Sequence, residues 1–466
     1  MTFVRWTQLV VCCGIVLAGL VPGACGAQSA PASAPDSAPA ATAPAGNRTA
    51  YILPPEKLAK AIALSRIRNI LDIVGALWGL VVLWLLLATR TFAGIEAWAG
   101  RVSGRRRSPV RADSERLPHP RWLQGLLFFA VFFIVTTLAG LPIDALGHHF
   151  SREYGISLQG WGGWLGDQGK GLGLAVLIGA PILLLFNWIV RRWPRRYWLG
   201  IWLAAVPLIV AVLLVSPLFE PIFDKFEPLT QNHAALVEEL EKVVARTGTD
   251  IPPGRMFLMK ASEKTNGLNA YVDGIGATKR IVVWDTTAGR IPDDEIMFIF
   301  GHESGHYVLN HIPKQVSLSV VGLFFVLWTC AGFAGWLARR FGSAWGLQTQ
   351  DSSAAPLASR TGFVVLIFAV SIAGFVLQPV INTVSRHYEH EADVYGQEAV
   401  HGLVADPRKT AVAAFNALGE AWLDDPNPSP FIEFWEYNHP SVKTRANFAA
   451  QYDPWKDGGH GEFFEK

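Results

Sequence analysis

The residues His302-Glu303-Ser304-Gly305-His306 place two histidines four positions apart, with a glutamate beside the first. Residues at this spacing lie on one face of a helix, so both imidazoles can bind the same metal ion. Imidazole and carboxylate are good Zn²⁺ ligands, and two histidines with one carboxylate leave a position open for water. Glu303 is placed to accept a proton from that water. The motif therefore predicts one zinc ion per chain and a hydrolytic reaction.

A third ligand must come from elsewhere in the chain. The metzincin pattern HExxHxxGxxH is excluded, because its glycine position is Leu309 and its last histidine position is Ile312. His311 misses the required position by one residue. The alternative is a glutamate on a later helix, and a polar segment from 385 to 393 follows two further apolar stretches.

If that segment continues a helix, Glu389 and Asp393 share a face, whereas Glu391 points roughly 160° away from Glu389. We predict that Glu389 is the third zinc ligand. Asp393 is predicted to accept a hydrogen bond from a ligand imidazole and to orient it. The other polar residues of the segment are expected to be ordinary residues at a membrane boundary: His387, His390 and Glu391.

The composition of the chain is that of a membrane protein. Of the 466 residues, 51% are hydrophobic and only 17% are charged, below the quarter that is usual in soluble domains, and the mean hydropathy is +0.27. The net charge of +2 gives no field that would attract a polyanion, so the lipid bilayer is expected as a partner and nucleic acid is not. The four cysteines have no CxxC spacing, which argues against a disulfide framework or a thiolate zinc site.

Six stretches are long and apolar enough for a helix that crosses a bilayer, which takes about 20 residues. They are Ile70–Thr89, Leu123–Leu141, Leu172–Val190, Trp198–Leu218, Val316–Ala338 and Thr361–Ile381. Residues 1–27 contain a shorter apolar run at 9–21, behind Arg5 and ahead of small residues, which predicts a secretory signal peptide or, alternatively, an uncleaved N-terminal anchor. Residues 28–50, rich in Ala, Pro and Ser, are predicted to be a flexible linker.

The spans divide the rest of the chain into regions with different predicted roles. Membrane helices occupy 51–218 and 316–383, and the two segments with candidate catalytic residues occupy 219–315 and 384–451. Residues 452–466 are expected to form a loose polar tail. The fold class is therefore mainly α, a multi-pass transmembrane bundle with a small α/β metallopeptidase unit inserted between spans.

Segment 219–315 has the pattern of that α/β unit. Apolar residues at helical spacing predict a helix from His233 to Arg246, and β-like runs follow at Met256–Met259 and Arg280–Trp284. Another strand is predicted at Leu268–Val272. A helix from 293 or 294 to about 310 would carry both histidines of the HExxH motif.

The basic residues favour one orientation in the membrane. Eight arginines lie between the first two spans, whereas the next loop, 144–171, has only Arg152 and Lys170. Further basic clusters lie at 191–196 and 339–360. Since alternate loops are basic, these clusters can share the cytoplasmic side, which predicts that both catalytic segments lie on the non-cytoplasmic side.

Together, these motifs resemble those of the type I CAAX prenyl proteases, which are multi-pass zinc metalloendopeptidases. The resemblance rests on His302–His306 and on Ser385-Arg386-x-x-Glu389-x-x-Ala392-Asp393, separated by two spans. Asn269-Ala270-Tyr271 is similar to the family's substrate-lining strand. Asn438-His439-Pro440, with Arg445 six residues after the histidine, is similar to its C-terminal motif.

The resemblance implies a ring of seven transmembrane helices around a large water-filled chamber, with the zinc exposed inside. It implies that His302, His306 and Glu389 bind the metal and that Glu303 is the general base. Further residues would lie near the substrate or the transition-state oxyanion (His439 and Arg445) or against the substrate backbone (Asn269, Ala270 and Tyr271). The chain departs from the family in its short, signal-like first apolar segment and in the charge bias that puts the site outside the cytoplasm.

The predicted reaction is hydrolysis of peptide bonds in a peptide or protein, with prenylation of the substrate and the oligomeric state left open. A site-2-type intramembrane protease is one alternative, but in that class HExxH lies inside an apolar span, and here polar residues from 293 to 314 surround it. A non-hydrolytic membrane transporter or zinc scaffold is another. A transporter predicts ionisable residues inside the spans, of which Asp72 is the clearest, and the complete Glu303 argues against a scaffold.

Overall fold

The structure, a computed structural model, describes residues 50–103, 121–347 and 356–464. The predicted leader at 1–27 and all but the last residue of the predicted linker at 28–50 lie outside these residues. Most of the first basic loop, residues 104–120, lies outside them as well.

Six helices of the described residues are long and apolar enough to cross a bilayer, and each coincides with one of the predicted spans. Four of them precede the α/β unit, together with the short α2. In chain order these helices are α1 (Pro55–Ala88), α2 (Thr91–Val102), α3 (Arg121–Glu153), α4 (Trp161–Arg192, with a π-helical turn at Ala175–Gly179) and α5 (Tyr197–Val215).

The α/β unit lies between α5 and the fifth span, as predicted. Its helices are α6 (Ala234–Thr247) and α7 (Asp293–Val308), with one helical turn at Asp285–Ala288. Its strands are β1 (Phe226–Pro228), β2 (Met256–Met259), β3 (Ala270–Asp273) and β4 (Arg280–Trp284). The order in the sheet is β1-β2-β4-β3, with β2 and β4 parallel and the other pairs antiparallel. Strand β3 is therefore an edge strand, and it lies against α7.

Two spans and three shorter helices complete the chain. They are α8 (His311–Phe341), α9 (Arg360–Ala399), α10 (Pro407–Trp422), α11 (Pro430–Glu436) and α12 (Val442–Gln451). The final residues, for which the sequence predicts a loose tail, pack against α9. The buried Glu398 carboxylate accepts hydrogen bonds from Tyr452 Oη and from the backbone N–H groups of Phe463 and Phe464.

The outer faces of the spans carry large apolar side chains that point away from the rest of the protein. Leu177 is 71% exposed, Trp328 57% and Phe325 56%. Apolar surface on this scale, spread over helices of this length, is stable against lipid rather than water. The prediction of a multi-pass integral membrane protein is therefore confirmed.

Helix α9 is too long to lie wholly within a bilayer. At 1.5 Å per residue its 40 residues extend about 60 Å, twice the roughly 30 Å of hydrocarbon. Its first half is apolar, whereas its second half carries the buried polar residues Glu389 and Asp393. The last membrane helix therefore continues into the catalytic unit. Glu389 and Asp393 belong to this one helix, so they lie on the same face, as predicted.

The catalytic segments meet at one end of the bundle. Ser157, in the connection between α3 and α4, pairs with Thr265 of the α/β unit. Lys57, at the start of α1, forms an ion pair with Glu420 in α10. At the opposite end, the Glu96 carboxylate accepts a hydrogen bond from the Thr361 backbone N–H at the start of α9 (3.0 Å). The described basic connections lie at this opposite end.

Candidate active site

Helix α7, which carries the HExxH motif, is held firmly within the catalytic unit. Its first turn contains Asp293, Asp294 and Glu295, whose charges are favourable at the positive end of the helix dipole. Residues 296–302 are all buried, and the helix contacts α6, α9 and α10. Asn310, in the left-handed conformation (φ 58°), then turns the chain directly into α8. Both histidines therefore lie on a rigid element.

Helices α7 and α9 approach closely because each has a glycine where they cross. A Cβ atom on Gly396 would lie 2.7 Å from the backbone nitrogen of His302. A Cβ atom on Gly301 would lie 3.1 Å from the carbonyl oxygen of Gly396. This backbone contact brings Glu389, two turns before Gly396 in α9, to the imidazoles of α7.

The three predicted ligand side chains converge, with their ligand atoms within 4.8 Å of one another. His302 Nε2 lies 3.2 Å from His306 Nε2 and 3.3 Å from Glu389 Oε2, and His306 Nε2 lies 3.6 Å from Glu389 Oε1. A tetrahedral zinc ion with bonds of about 2.0–2.1 Å holds its ligand atoms roughly 3.3 Å apart. Within the described residues, Glu389 Oε2 is also buried without a well-directed hydrogen bond. The donor set therefore fits zinc.

Asp393 contacts His302 on the side of the ring opposite the other two ligands, and Arg445 binds Asp393. His302 Nδ1 lies 2.8 Å from Asp393 Oδ1. Because a carboxylate can only accept, Nδ1 carries a proton, and in the neutral ring that binds a metal Nε2 then has a lone pair facing the other ligands. Arg445 binds Asp393 with two nitrogens, Nε to Oδ2 at 2.9 Å and Nη2 to Oδ1 at 2.5 Å. Its Nη2 also lies 4.0 Å from Glu389 Oε2.

A second polar chain, absent from the sequence prediction, lies behind His306. His311 is fully buried, with its Nδ1 atom 3.1 Å from His306 Nδ1 and its Nε2 atom 3.0 Å from Glu391 Oε2. Glu391 therefore contacts a buried histidine and does not face solvent alone. Helices α7 and α8 both contact α9. Glu389 of α9 therefore meets His302 of α7, and Glu391, on another face of α9, meets His311 of α8. The spacing of His311, five residues after His306, was the available signal.

Glu303 lies one position along α7 from His302, beside β3. Burial raises its pKa to about 7, although the charge of His302 opposes this and a hydrogen bond from the Val272 backbone lowers the pKa as well. A carboxylate with a pKa near 7 can accept and return a proton at neutral pH. The position and the pKa both suit a general base.

The two imidazoles of HExxH have different electrostatic environments. Burial lowers the pKa of His306 to about 3, so this ring is neutral at pH 7. Burial would lower the pKa of His302 too, but hydrogen bonds to Asp393 and Glu389 raise it to about 9. The two carboxylates therefore attract positive charge to this point, and a bound metal cation can supply that charge instead of a proton.

His439 approaches the same centre from the C-terminal segment. Its Nε2 atom lies 3.0 Å from Glu389 Oε2, and its Nδ1 atom lies 2.8 Å from Asn438 Oδ1. The side chain is partly exposed, at 21%, whereas that of Glu389 is buried. His439 therefore lies between the ligand carboxylate and the open side of the site.

The predicted substrate-contacting residues lie at the start of β3. The backbone oxygen of Asn269 accepts a hydrogen bond from the Trp284 N–H at 3.0 Å, and residues facing β4 alternate with residues facing the open edge. The backbone groups of Ala270 and Val272 therefore face away from β4, on the side of α7, where those of Val272 already have partners: its N–H donates to Glu303 and its carbonyl accepts from Tyr307 Oη at 3.3 Å. The side chain of Tyr271 points toward the segment between α5 and β1, where its hydroxyl donates a hydrogen bond to Glu220 Oε2 at 3.0 Å.

A bundle of membrane-spanning helices with an HExxH helix and a converging glutamate defines a polytopic membrane metallopeptidase. Comparison with family models agrees: residues 230–453 match peptidase family M48, and residues 40–225 match the CAAX prenyl protease N-terminal region of five membrane helices. The chain belongs to peptidase family M48.

Individual relatives support the same family. The chain is 31% identical over 407 residues to the uncharacterized metalloprotease YhfN of Bacillus subtilis, covering 86% of this chain and 87% of that one. It is 27% identical over 333 residues to CAAX prenyl protease 1 of Saccharomyces cerevisiae, covering 69% and 71% of the two chains. Among the matches are also the prenyl protease homologues of Arabidopsis thaliana, at 26%, and Homo sapiens, at 24% identity.

A solved structure confirms the fold class. The crystal structure of S. mikatae Ste24p superimposes with a TM-score of 0.71 at 21% identity, covering 97% of this chain and 98% of that one. The predicted helical membrane bundle around a chamber, with its inserted α/β unit, is therefore confirmed. The chain is a multi-span membrane metalloprotease of a zinc-dependent family, and the transporter, scaffold and site-2-type alternatives are not favoured.

Proposed function

We propose that this protein hydrolyses peptide bonds in an extended segment of a peptide or protein, at one zinc ion held by His302, His306 and Glu389. The observation that carries the proposal is the convergence of these three ligand atoms within 4.8 Å, at the junction of α7 and α9. When bound, zinc would polarise the scissile carbonyl and lower the pKa of a water molecule.

Glu303 acts as the general base in this proposal. Its carboxylate accepts a proton from the attacking water and returns it to the leaving amine. The pKa of about 7, raised by burial, allows both transfers near neutral pH. Glu303 lies on α7 beside β3, so its carboxylate would lie next to the scissile bond of a peptide bound along that strand.

His439 and Arg445 are proposed to stabilise the oxyanion that develops on the scissile carbonyl. His439 is the better placed to touch substrate, because it is partly exposed and its Nε2 atom lies 3.0 Å from Glu389 Oε2. Arg445 is bound to Asp393 and adds positive charge 4.0 Å from Glu389. Fixed charges of this kind are worth several kcal/mol in a site that excludes water.

The substrate is proposed to add a strand to the open edge of β3. Ala270 offers its backbone groups there, whereas those of Val272 pair with Glu303 and Tyr307. Backbone pairing near Ala270 would fix the register of the peptide without demanding a sequence. Asn269 would lie at one end of this strand, and Tyr271 would support it through its own pairing with Val282. Several relatives are named CAAX prenyl proteases, and peptide hydrolysis is the activity that we propose independently of prenylation.

The active site is proposed to face the non-cytoplasmic side of the membrane. The described arginine clusters lie at the end of the bundle opposite the catalytic segments: Arg195 and Arg196 between α4 and α5, and Arg339 and Arg340 in the last turn of α8. Arginine-rich short loops favour the cytoplasm.

The decisive experiment is Glu303→Gln in the purified full-length protein with a quenched fluorescent peptide. Zinc content should remain that of the wild type, while turnover falls by roughly 10²–10⁴-fold because the base is lost. Glu295→Gln, the same change two turns earlier in α7, is the matched control and should retain activity. Chelator should abolish wild-type turnover, and added zinc should restore it. Wild-type turnover in Glu303→Gln would remove Glu303 from the reaction.

A further inference from the structure

Two residues outside the proposed ligand set form a continuous hydrogen-bonded chain with His306. His311, the first residue of α8, has no exposed surface, and its two ring nitrogens face different partners. Nδ1 lies 3.1 Å from His306 Nδ1, and Nε2 lies 3.0 Å from Glu391 Oε2. The ring of Tyr388 packs on His311 with ring centroids 4.8 Å apart. The imidazole of His311 is thus held on three sides.

The donors and acceptors of this chain can be assigned in only one consistent way while His311 is neutral. The Glu391 carboxylate can only accept, so His311 Nε2 carries the proton and donates it. His311 Nδ1 then has a lone pair and must accept. The hydrogen bond to it comes from His306 Nδ1–H, which leaves His306 Nε2 unprotonated.

That assignment gives His306 the tautomer that a metal ligand needs. Its Nε2 atom faces His302 Nε2 at 3.2 Å and Glu389 Oε1 at 3.6 Å. His302 has an equivalent arrangement, with Nδ1 beside Asp393. The two arrangements differ in length, because His306 reaches its carboxylate through a second imidazole, whereas His302 contacts one directly.

We propose that His311 and Glu391 are positioning residues that fix the tautomer and the ring orientation of His306. The inference rests on the proposed function, since it concerns the zinc ligand set. Partners of this kind typically change metal affinity by 10–100-fold. Glu391 is the carboxylate at the end of the chain, and its side chain is 30% exposed, so it can be replaced without opening a cavity in the core.

The test measures zinc affinity of the full-length protein by competition with a chromophoric chelator. Glu391→Ala removes the acceptor, and we expect zinc to bind 10–100-fold more weakly. Glu391→Gln keeps an oxygen that can accept from His311 Nε2–H, so affinity should stay within about threefold of the wild type. His390→Ala is the control: this exposed neighbour in α9 packs on Phe448, and its loss should leave zinc affinity unchanged.

His311→Leu is the second variant, measured together with the unfolding temperature of the metal-free protein. It should weaken zinc binding at least as much as Glu391→Ala. The inference is overturned if Glu391→Ala binds zinc like the wild type, or if Glu391→Gln is weakened as much as Glu391→Ala. A wild-type protein that binds no zinc would instead overturn the proposed function, so the two failures are distinguishable.

Discussion

At the scale of single residues, the site depends on which atom of each imidazole carries a proton. His302 and His306 belong to one motif, yet their Nδ1 atoms face different groups, Asp393 in one case and His311 in the other. The spacing of Glu389 and Asp393 predicts their shared face, because helical periodicity is a local property. The contacts of His311 with Glu391 and of Arg445 with Asp393 depend on packing between distant segments, which local patterns do not encode.

Arg445 illustrates this difference and leads to a prediction. The resemblance placed it near the oxyanion, and in the structure its guanidinium binds both oxygens of Asp393 and packs on the ring of Phe415 at 4.5 Å. Arg445→Lys keeps the charge but cannot reproduce this two-nitrogen contact. We expect kcat/KM to fall about 10–100-fold with zinc content retained, measured by peptide hydrolysis and metal analysis.

The control for that variant is Arg408→Lys, because Arg408 is a more exposed arginine that pairs with Asp453 at 2.9 Å. It should hydrolyse the peptide at the wild-type rate. Full activity in Arg445→Lys would show that charge alone suffices at this position.

At the scale of elements, the site is the crossing of α7 and α9. Hydropathy predicts the apolar half of α9, and motif spacing predicts α7 and the strands, with β3 beginning two residues later than expected. The sequence could not predict that Gly301 and Gly396 meet, since a contact between segments 95 residues apart leaves no periodic signal. It also could not predict the docking of residues 452–464 on Glu398.

The first turn of α7 provides a pH-dependent prediction. Burial raises the pKa of Glu295 from 4.5 to about 7, with Asp294 adding to the effect. Because the folded protein holds this proton more tightly than the unfolded chain, stability from this group falls as the pH rises from about 4.5 through about 7. Glu295→Gln should therefore raise the unfolding temperature at pH 8 by roughly 2–4 °C, with little change at pH 5.

Scanning fluorimetry of the purified protein at both pH values measures this effect. Asp293→Asn, which removes a charge from the same helical turn, should change the unfolding temperature equally at pH 5 and pH 8. An equal effect of Glu295→Gln at the two pH values would contradict the assigned cause.

At the scale of the whole molecule, the chain separates a basic end from a catalytic end. The hydropathy and the alternation of arginine-rich loops are long-range averages, so the sequence predicts six spans and the pairing of their connections. The hydropathy of the sequence does not predict how far a helix continues past its apolar stretch, because the continuing residues are polar. Those extensions of α1 and α9 reach the catalytic segments at one end of the bundle.

The proposed orientation can be tested by labelling single cysteines with a membrane-impermeant maleimide in intact cells. Lys242→Cys lies exposed at the catalytic end, and Arg195→Cys lies exposed at the basic end. With the native cysteines replaced by serine, Lys242→Cys should be labelled directly and Arg195→Cys only after permeabilisation. The reverse pattern would place the active site in the cytoplasm.

The binding of one metal ion by three side chains from two helices is the claim on which the rest depends. Metal analysis of the purified full-length protein by mass spectrometry tests it most directly. We predict about one zinc per chain in the wild type and in His390→Ala, and less than about a tenth of that in His302→Ala, His306→Ala and Glu389→Ala. A wild-type protein that stays free of zinc after incubation with the ion, or a Glu389→Ala variant with undiminished zinc, would contradict the account.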